Sequence, residues 1–359
     1  MSAPRLDIDL DKITDNARSL VERLAPRGIR VTGVTKAALG HPLVAAAMRR
    51  GGVHGLGDSR IENIETIRDA AIPGPFTLIR SPMASQVNRV VTAATTSFNT
   101  EPDVLDRLSA AAYERHLLHS VILMVELGDL REGVLVDDLF ALVRHTLDCP
   151  NLILSGLGTN LACQSGIAPD AAKMGELSRL VDSVEAKFGI TLDVVSGGNS
   201  ANLDWALGDA DTGRVNELRL GESILLGRDP LHGRVLDGLH TDAITLVAEI
   251  IESKAKPVQP WGDVGRSAFG VPEPRTGDGT RHQALLALGR QDVDPDGITP
   301  PAPVTMLGAS SDHLVVDMGV PTRIGTEVEF QLDYAALLRA MTSPHVAKEF
   351  VSPSGLQAA

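Results

Sequence analysis

Six short stretches of this sequence carry side chains able to do chemistry, and each falls where a β-type run gives way to a loop. Lys36 closes the run Val31–Thr35, and Asp58-Ser59-Arg60 follows Val53–Leu56. Then come Gly128-Asp129-Leu130-Arg131, Gly158-Thr159-Asn160, Ser196-Gly197-Gly198-Asn199-Ser200 and Arg219-Leu220-Gly221-Glu222-Ser223. An amine held out of water at a strand end is a nucleophile able to form a Schiff base. Glycine and serine at the entrance to a helix offer backbone N–H groups and a hydroxyl, the usual grip on a phosphate. The set suits covalent chemistry on a phosphorylated carbonyl compound.

Such groups act together only if the strands that carry them end on one face. Strand-like Val31–Thr35 precedes helical Pro42–Arg50, and the alternation then repeats through Val53–Leu56, Phe76–Ile79, Ser97–Asn99, Ser120–Leu127, Leu152–Leu157, Leu192–Ser196 and Val215–Leu220. That makes eight strand–helix units in roughly 200 residues, the period of a (β/α)8 TIM barrel. An open doubly wound sheet would need a point where strand order reverses, and none is evident. In a barrel the C-terminal strand ends share one mouth, where the chemistry sits. A lysine facing a phosphate site there suggests pyridoxal phosphate, although a phosphorylated sugar over a Schiff-base lysine would use similar parts.

After Gly227 the texture changes. His240–Ile250, Ala284–Leu288, Val304–Leu307, His313–Met318 and Glu327–Gln331 are β-type runs between Gly/Pro-rich loops such as Val271–Gly279 and Asp294–Pro303. They predict a compact all-β domain of about 110 residues. The expected division is an N-terminal strand in residues 1–10 that goes with the β domain, a barrel over 11–234, and the β domain over 235–359.

Composition narrows the function. The 359 residues are 43% hydrophobic and 22% charged, as in a soluble globular enzyme. A formal charge of −13 argues against nucleic acid or an anionic membrane as partner, and permits a cationic substrate. Cys149 and Cys163 are the two cysteines, so neither a disulfide framework nor a structural zinc site is expected. No basic-then-apolar leader or membrane-length apolar run is evident, so a cytoplasmic location is expected.

A specific resemblance runs through these motifs. Val34-Thr-Lys36-Ala, Gly57-Asp-Ser-Arg-Ile-Glu-Asn63, Gly128-Asp-Leu-Arg-Glu-Gly133 and Gly156-Leu-Gly-Thr-Asn-Leu-Ala-Cys163 come first. Ser196-Gly-Gly-Asn-Ser200, Leu218-Arg-Leu-Gly-Glu222, Gly289-Arg-Gln-Asp292 and Gly308-Ala-Ser-Ser-Asp-His313 follow in order. The sequence resembles the alanine/ornithine racemase family of fold-type III pyridoxal-phosphate enzymes. The resemblance implies that Lys36 carries the cofactor as an aldimine and acts as base on one face of the substrate α-carbon. It implies that Arg219 donates to the pyridine nitrogen and that Asn160 stands where alanine racemases place a histidine near the cofactor. Ser200 and the amides of Gly221 and Glu222 correspond to the phosphate cradle, with Tyr334 of Asp333-Tyr334-Ala-Ala-Leu reaching the same phosphate. Arg131 corresponds to an arginine near the cofactor phenol and the substrate carboxylate.

The physical account runs alongside. An arginine is effectively always protonated, so a ring nitrogen that accepts from it stays unprotonated. The ring is then a weaker electron sink, which favours coupled proton transfers, and hence racemisation, over transamination. Two departures stand out. Leu39 lies where the family has a phosphate-contacting tyrosine after the lysine, and Leu288-Gly-Arg290-Gln-Asp292 replaces the segment holding the second-face catalytic tyrosine. Arg290 and Ser311 then suit substrate contacts. Asp292, ahead of Asp312, is the expected second acid/base, since burial raises a carboxyl toward the working pH. His41, His313, Cys163 and Tyr113 read as structural, and no metal ligand set is evident around Asp292, Asp312 and His313.

The expected function is racemisation of an amino acid, with ornithine or another basic amino acid as substrate, by two-base α-proton transfer on the external aldimine. A homodimer that shares sites between the barrel and the partner's β domain goes with the resemblance. The alternatives are a D-amino-acid aldolase or dehydratase of the same fold type, and a non-catalytic carrier of the cofactor.

Overall fold

The computed structural model describes residues 3–270 and 276–352; residues 271–275 of the expected loop Val271–Gly279 lie outside them. Strand β1 (Arg5–Asp9) comes first. Eight strands then close on themselves: β2 (Arg30–Val34), β3 (Gly55–Asp58), β4 (Phe76–Leu78), β5 (Thr96–Asn99), β6 (His119–Met124), β7 (Leu152–Gly158), β8 (Val194–Ser196) and β9 (Glu217–Leu220). All pair in parallel, and β2 closes the ring against β9 from Arg30↔Glu217 to Gly33↔Leu220. Helices between the strands cover the outside, so β3, β9 and most of β2 are buried along their length, as parallel strands must be. This is the expected (β/α)8 barrel. Inside it Phe98, Ile122 and Met124 form an apolar cluster with Ile79 and Val194 packed against them.

The second unit holds β10 (Ile244–Pro257), β11 (Thr280–Leu286), β12 (Ile298–Thr299), β13 (Thr305–Ala309), β14 (Leu314–Asp317), β15 (Glu327–Leu332) and β16 (Ala347–Val351). Its strand order is β12-β15-β10-β11-β14-β13, with every neighbouring pair on this path antiparallel. Strand β1 joins this unit, antiparallel to β10 and parallel to β16. The two compact units are therefore Leu10–Thr241, and residues 3–9 with Asp242–Ser352. Sequence reading missed one helix here, Tyr334–Thr342. Its Ala/Leu-rich run favours a helix, and the Asp333 carboxylate caps it by accepting from the Ala336 N–H at 2.8 Å. Among the described residues, no helix is long and apolar enough to cross a membrane.

One buried barrel residue makes stability depend on pH. The His119 imidazole is 1% exposed, and its Nε2 lies 2.8 Å from the Ser97 hydroxyl. Burial pulls it down to about 4, whereas an unfolded-chain imidazole protonates near ~6.5. Between those values the unfolded chain binds the extra proton. The stabilisation is thus complete above ~pH 6.5 and is lost as the pH falls through the folded value. Urea unfolding at pH 7 and pH 4 should show about 2–3 kcal/mol of loss in the parent that His119→Gln does not share. Equal losses in both proteins would remove His119 from this account.

Candidate active site

Arg219 forms the floor of the site. It is 4% exposed on β9, with its guanidinium stacked 4.9 Å from the centre of the Phe98 ring. One Nη donates to the Ser196 hydroxyl at 2.6 Å, and the other to the Thr159 carbonyl at 2.9 Å and to Asn160 Oδ1 at 3.2 Å. The Ser196 hydroxyl in turn donates to Glu217 Oε1 at 2.7 Å, while Oε2 accepts from the Thr32 hydroxyl at 3.0 Å. A buried cation and a buried anion are thus joined through one serine, which is how such charges are tolerated away from water. Burial lowers the guanidinium to about 10, with the Glu217 charge acting against that fall. Arg219 stays fully protonated at neutral pH.

Lys36 opens a single 3-10 turn, Lys36–Ala38, immediately beyond β2, and is half-buried. Its position is set from the neighbouring strand end. The Thr35 hydroxyl donates to Asp58 Oδ2 at 2.7 Å, and Asp58 Oδ1 accepts from the Arg60 N–H and the Asn63 side chain, both at 2.9 Å. Burial raises the Asp58 carboxyl above its ordinary range, against the pull of those donors. Asp58 therefore fixes the lysine's anchor and the start of the helix Ile61–Asp69.

The loop after β8 is wound tightly. Gly198 has φ +143°, and a Cβ there would lie 2.1 Å from Asn202 Oδ1, so only glycine fits. Asn199 caps the following turn by accepting from the Ala201 N–H, and its amide donates to Asn160 Oδ1 at 3.1 Å and to the Leu161 carbonyl at 2.8 Å. Ser200 and Ser223 are buried, with their hydroxyls 3.0 Å apart, and the Ser223 N–H donates to Ser200 Oγ at 3.2 Å. Ser200, Gly221, Glu222 and Ser223 are thus brought to one place by β8 and β9. Asn160 Nδ2 is buried without a hydrogen-bond partner.

Arg131 is paired with its neighbour Glu132, and its side chain is 37% exposed. The residue that shapes this side of the mouth is Asp129. Its carboxylate accepts from the N–H groups of Cys163, Gln164, Ser165 and Ile167, at 2.9 to 3.4 Å. Burial works to raise it, and those four donors outweigh burial and hold it low.

The remaining expected residues belong to the β unit. Gly289 backs directly onto a second loop: a Cβ would meet Ser311 O and Asp312 N at 2.3 Å. The N–H groups of Arg290 and Gln291 donate to the carbonyls of Ser310 and Ser311. Asp292 closes the turn: it is 4% exposed, Oδ2 accepts from the Gly289 N–H at 3.1 Å, and Oδ1 accepts from the Ser343 hydroxyl at 3.2 Å. Both hydrogen bonds tie the Asp292 carboxyl into this turn. Arg290 stacks 5.2 Å from the Phe269 ring centre. Asp312 is exposed and accepts from His313 Nδ1 at 2.9 Å, with the Ser311 hydroxyl 3.1 Å away. Tyr334 is the first residue of the helix Tyr334–Thr342.

The family model for the alanine racemase N-terminal domain matches residues 8–229. A lysine racemase from Thermotoga maritima is 39% identical over 355 residues, 98% of this chain and 99% of that protein. The chain belongs to the alanine racemase family. An ornithine racemase from Acetoanaerobium sticklandii is 34% identical over 97% of this chain and 99% of its own length. The solved alanine racemase of Streptomyces coelicolor A3(2) superposes with a TM-score of 0.76 at 21% identity, covering 97% of each chain, which is a likeness of fold.

Within this racemase framework, sequence reasoning missed Glu217 and gave Asn199 and Ser223 no role of their own. Glu217 had a visible signal, because it sits two residues before Arg219 and so shares one strand face with it.

Proposed function

We propose that the chain is a pyridoxal-phosphate racemase that interconverts the L and D forms of a basic amino acid, lysine or ornithine. The observation that carries this reading is the buried, permanently charged Arg219 held between Glu217 and the strand-end carbonyl of Thr159. Full-length similarity to a lysine racemase and an ornithine racemase supports the substrate class.

The residues fit the cofactor. Asn160 Nδ2 is a buried donor with no acceptor among the described residues. A Cβ at Gly221 would crowd Val34 at 3.1 Å, so glycine is what lets that backbone lie so close to the strand bearing Lys36. Ser200, Gly221 and Glu222 would hold the phosphate, Tyr334 is the candidate for a further phosphate contact, and Lys36 would carry the carbonyl carbon. Bound pyridoxal phosphate would supply the electron withdrawal that makes the α-hydrogen of an amino acid acidic.

The protein's own residues then decide the outcome. Arg219 keeps a ring nitrogen that accepts from it free of a proton, which restrains the withdrawal and disfavours transamination. Lys36 Nζ moves a proton on one face. On the other face we assign the proton to His313, which reads as structural from sequence alone. The Asp312 carboxyl is held below its ordinary range by the His313 hydrogen bond and then by Ser311. Asp312 therefore stays a carboxylate and can only accept. The hydrogen lies on His313 Nδ1, and Nε2 is left to exchange a proton. Arg290 and Ser311 suit the substrate carboxylate, with Arg131 in a similar role at the barrel side. A cytoplasmic homodimer in which one chain's β unit completes the other's barrel mouth belongs to the same reading.

Incubating each enantiomer of lysine and ornithine with the enzyme tests the function. Optical inversion supports it; a carbonyl product would point to an aldolase or dehydratase, and no turnover to a cofactor carrier. For the second face, His313→Gln should cut inversion in one direction by ~10²-fold or more, while α-proton exchange on the Lys36 side persists. If Asp292→Asn gives that one-sided loss and His313→Gln does not, the assignment returns to Asp292. Mixed Lys36→Ala and His313→Gln subunits should regenerate activity if sites are shared, and recovery should be absent if they are not.

A further inference from the structure

On the outside of the barrel, three chemically different ligand groups converge. Asp106 lies on the helix Pro102–Glu114, His145 on the helix Val136–Leu147, and Cys149 just beyond that helix. Asp106 Oδ1 is 2.8 Å from His145 Nε2 and 3.7 Å from Cys149 Sγ, and the three ligand atoms all fall within 4.8 Å of one another. Cys149 is buried, His145 is half-buried and Asp106 is exposed, so the cluster opens to water on one side. We propose that Asp106, His145 and Cys149 form a zinc-binding site with one open position, separate from the racemase chemistry.

Chemistry and geometry both point to zinc. A tetrahedral Zn2+ binds O, N and S at about 2.0–2.3 Å, which sets its ligand atoms about 3.2–3.8 Å apart. The Asp106–His145 and Asp106–Cys149 spacings lie within about half an ångström of that range. A carboxylate, an imidazole and a thiol suit this borderline-soft ion better than magnesium or calcium, which prefer all-oxygen shells.

The order of the contacts excludes the competing reading. In a nucleophilic cysteine site the imidazole faces the sulfur and the carboxylate backs the imidazole. Here the carboxylate stands between them, so the imidazole is not placed to draw the proton from the Cys149 thiol. Zinc would displace that proton to solvent as the Zn–S bond forms, with no change of oxidation state. The other cluster of this kind, Asp204, Asp229 and His232, already has Arg234 paired with both carboxylates and so has less to gain from a cation.

The experiment uses the purified full-length enzyme, stripped with a chelator and titrated with Zn2+ in buffers of different ionisation enthalpy. One zinc per chain should bind with proton release, and 113Cd substitution should give a resonance in the range of mixed N/O/S ligation with one thiolate. Both signals should vanish in Cys149→Ser, and Asp106→Asn should weaken binding about tenfold or more. Cys163→Ser and Asp229→Asn should leave both signals intact. Absence of stoichiometric zinc, or zinc binding unchanged by Cys149→Ser, would overturn the site. None of these readouts depends on racemase activity.

Discussion

Lys36→Ala should yield a folded protein with no borohydride-reducible link to pyridoxal phosphate and with racemase activity lower by ~10³-fold or more. The magnitude follows from the two roles placed on one amine, covalent anchor and proton carrier for one face. Folding should survive, because Thr35 and Asp58 hold the strand end without the lysine side chain: the Thr35 hydroxyl still donates to Asp58 at 2.7 Å. Unfolding midpoints for parent and variant should therefore be close. A variant that keeps a reducible cofactor bond would place the anchor elsewhere. One that unfolds would show that Lys36 is structural and leave its chemistry to be tested by Lys36→Arg.

Arg219→Glu should lower the inversion rate by ~10²-fold or more and raise the share of substrate lost to keto acid. The substitution removes donors to Ser196, Thr159 and Asn160, and brings a second carboxyl close to Glu217. Two buried carboxyls so placed cannot both ionise, so one becomes a proton donor where the parent has a fixed cation. Bound pyridoxal phosphate whose ring nitrogen took that proton would withdraw electrons more strongly, which would favour the keto acid over inversion. Arg219→Lys is the informative companion, since it keeps the charge and loses the two-pronged grip. Lower activity with unchanged product partition is expected for it. An unchanged partition in Arg219→Glu as well would refute the electron-sink account.

The barrel was legible because parallel strands and covering helices alternate in sequence as they do in space. The gathering of Lys36, Ser200 and Arg219 at the C-terminal ends of β2, β8 and β9 was legible for the same reason, since all eight strands of the barrel run the same way. What escaped was set by long sequence separations. Asp129 captures backbone donors 34 to 38 residues further on, and no local pattern announces that. Asp292 reads as reactive because it lies two residues beyond the place of the family's tyrosine, yet Ser343, 51 residues later, helps to bind it into a turn. The helix Tyr334–Thr342 went unread because short β runs on either side dominate the texture, while its cap, Asp333, is a single residue.

The placement of β1 bears on how the protein is made. Its five residues are synthesised before the barrel, but both of their partner strands lie beyond residue 243, in β10 and β16. At ribosomal rates of ~5–20 residues per second, β1 waits on the order of ten to fifty seconds for β10 and longer for β16. The barrel, a single uninterrupted stretch from Leu10 to Thr241, can condense on the ribosome during that interval. The nascent chain must therefore keep an alternating strand edge from pairing with a neighbouring polypeptide until β16 emerges. Asp7 and Asp9, charges on that early strand, are the kind of residue that discourages such pairing.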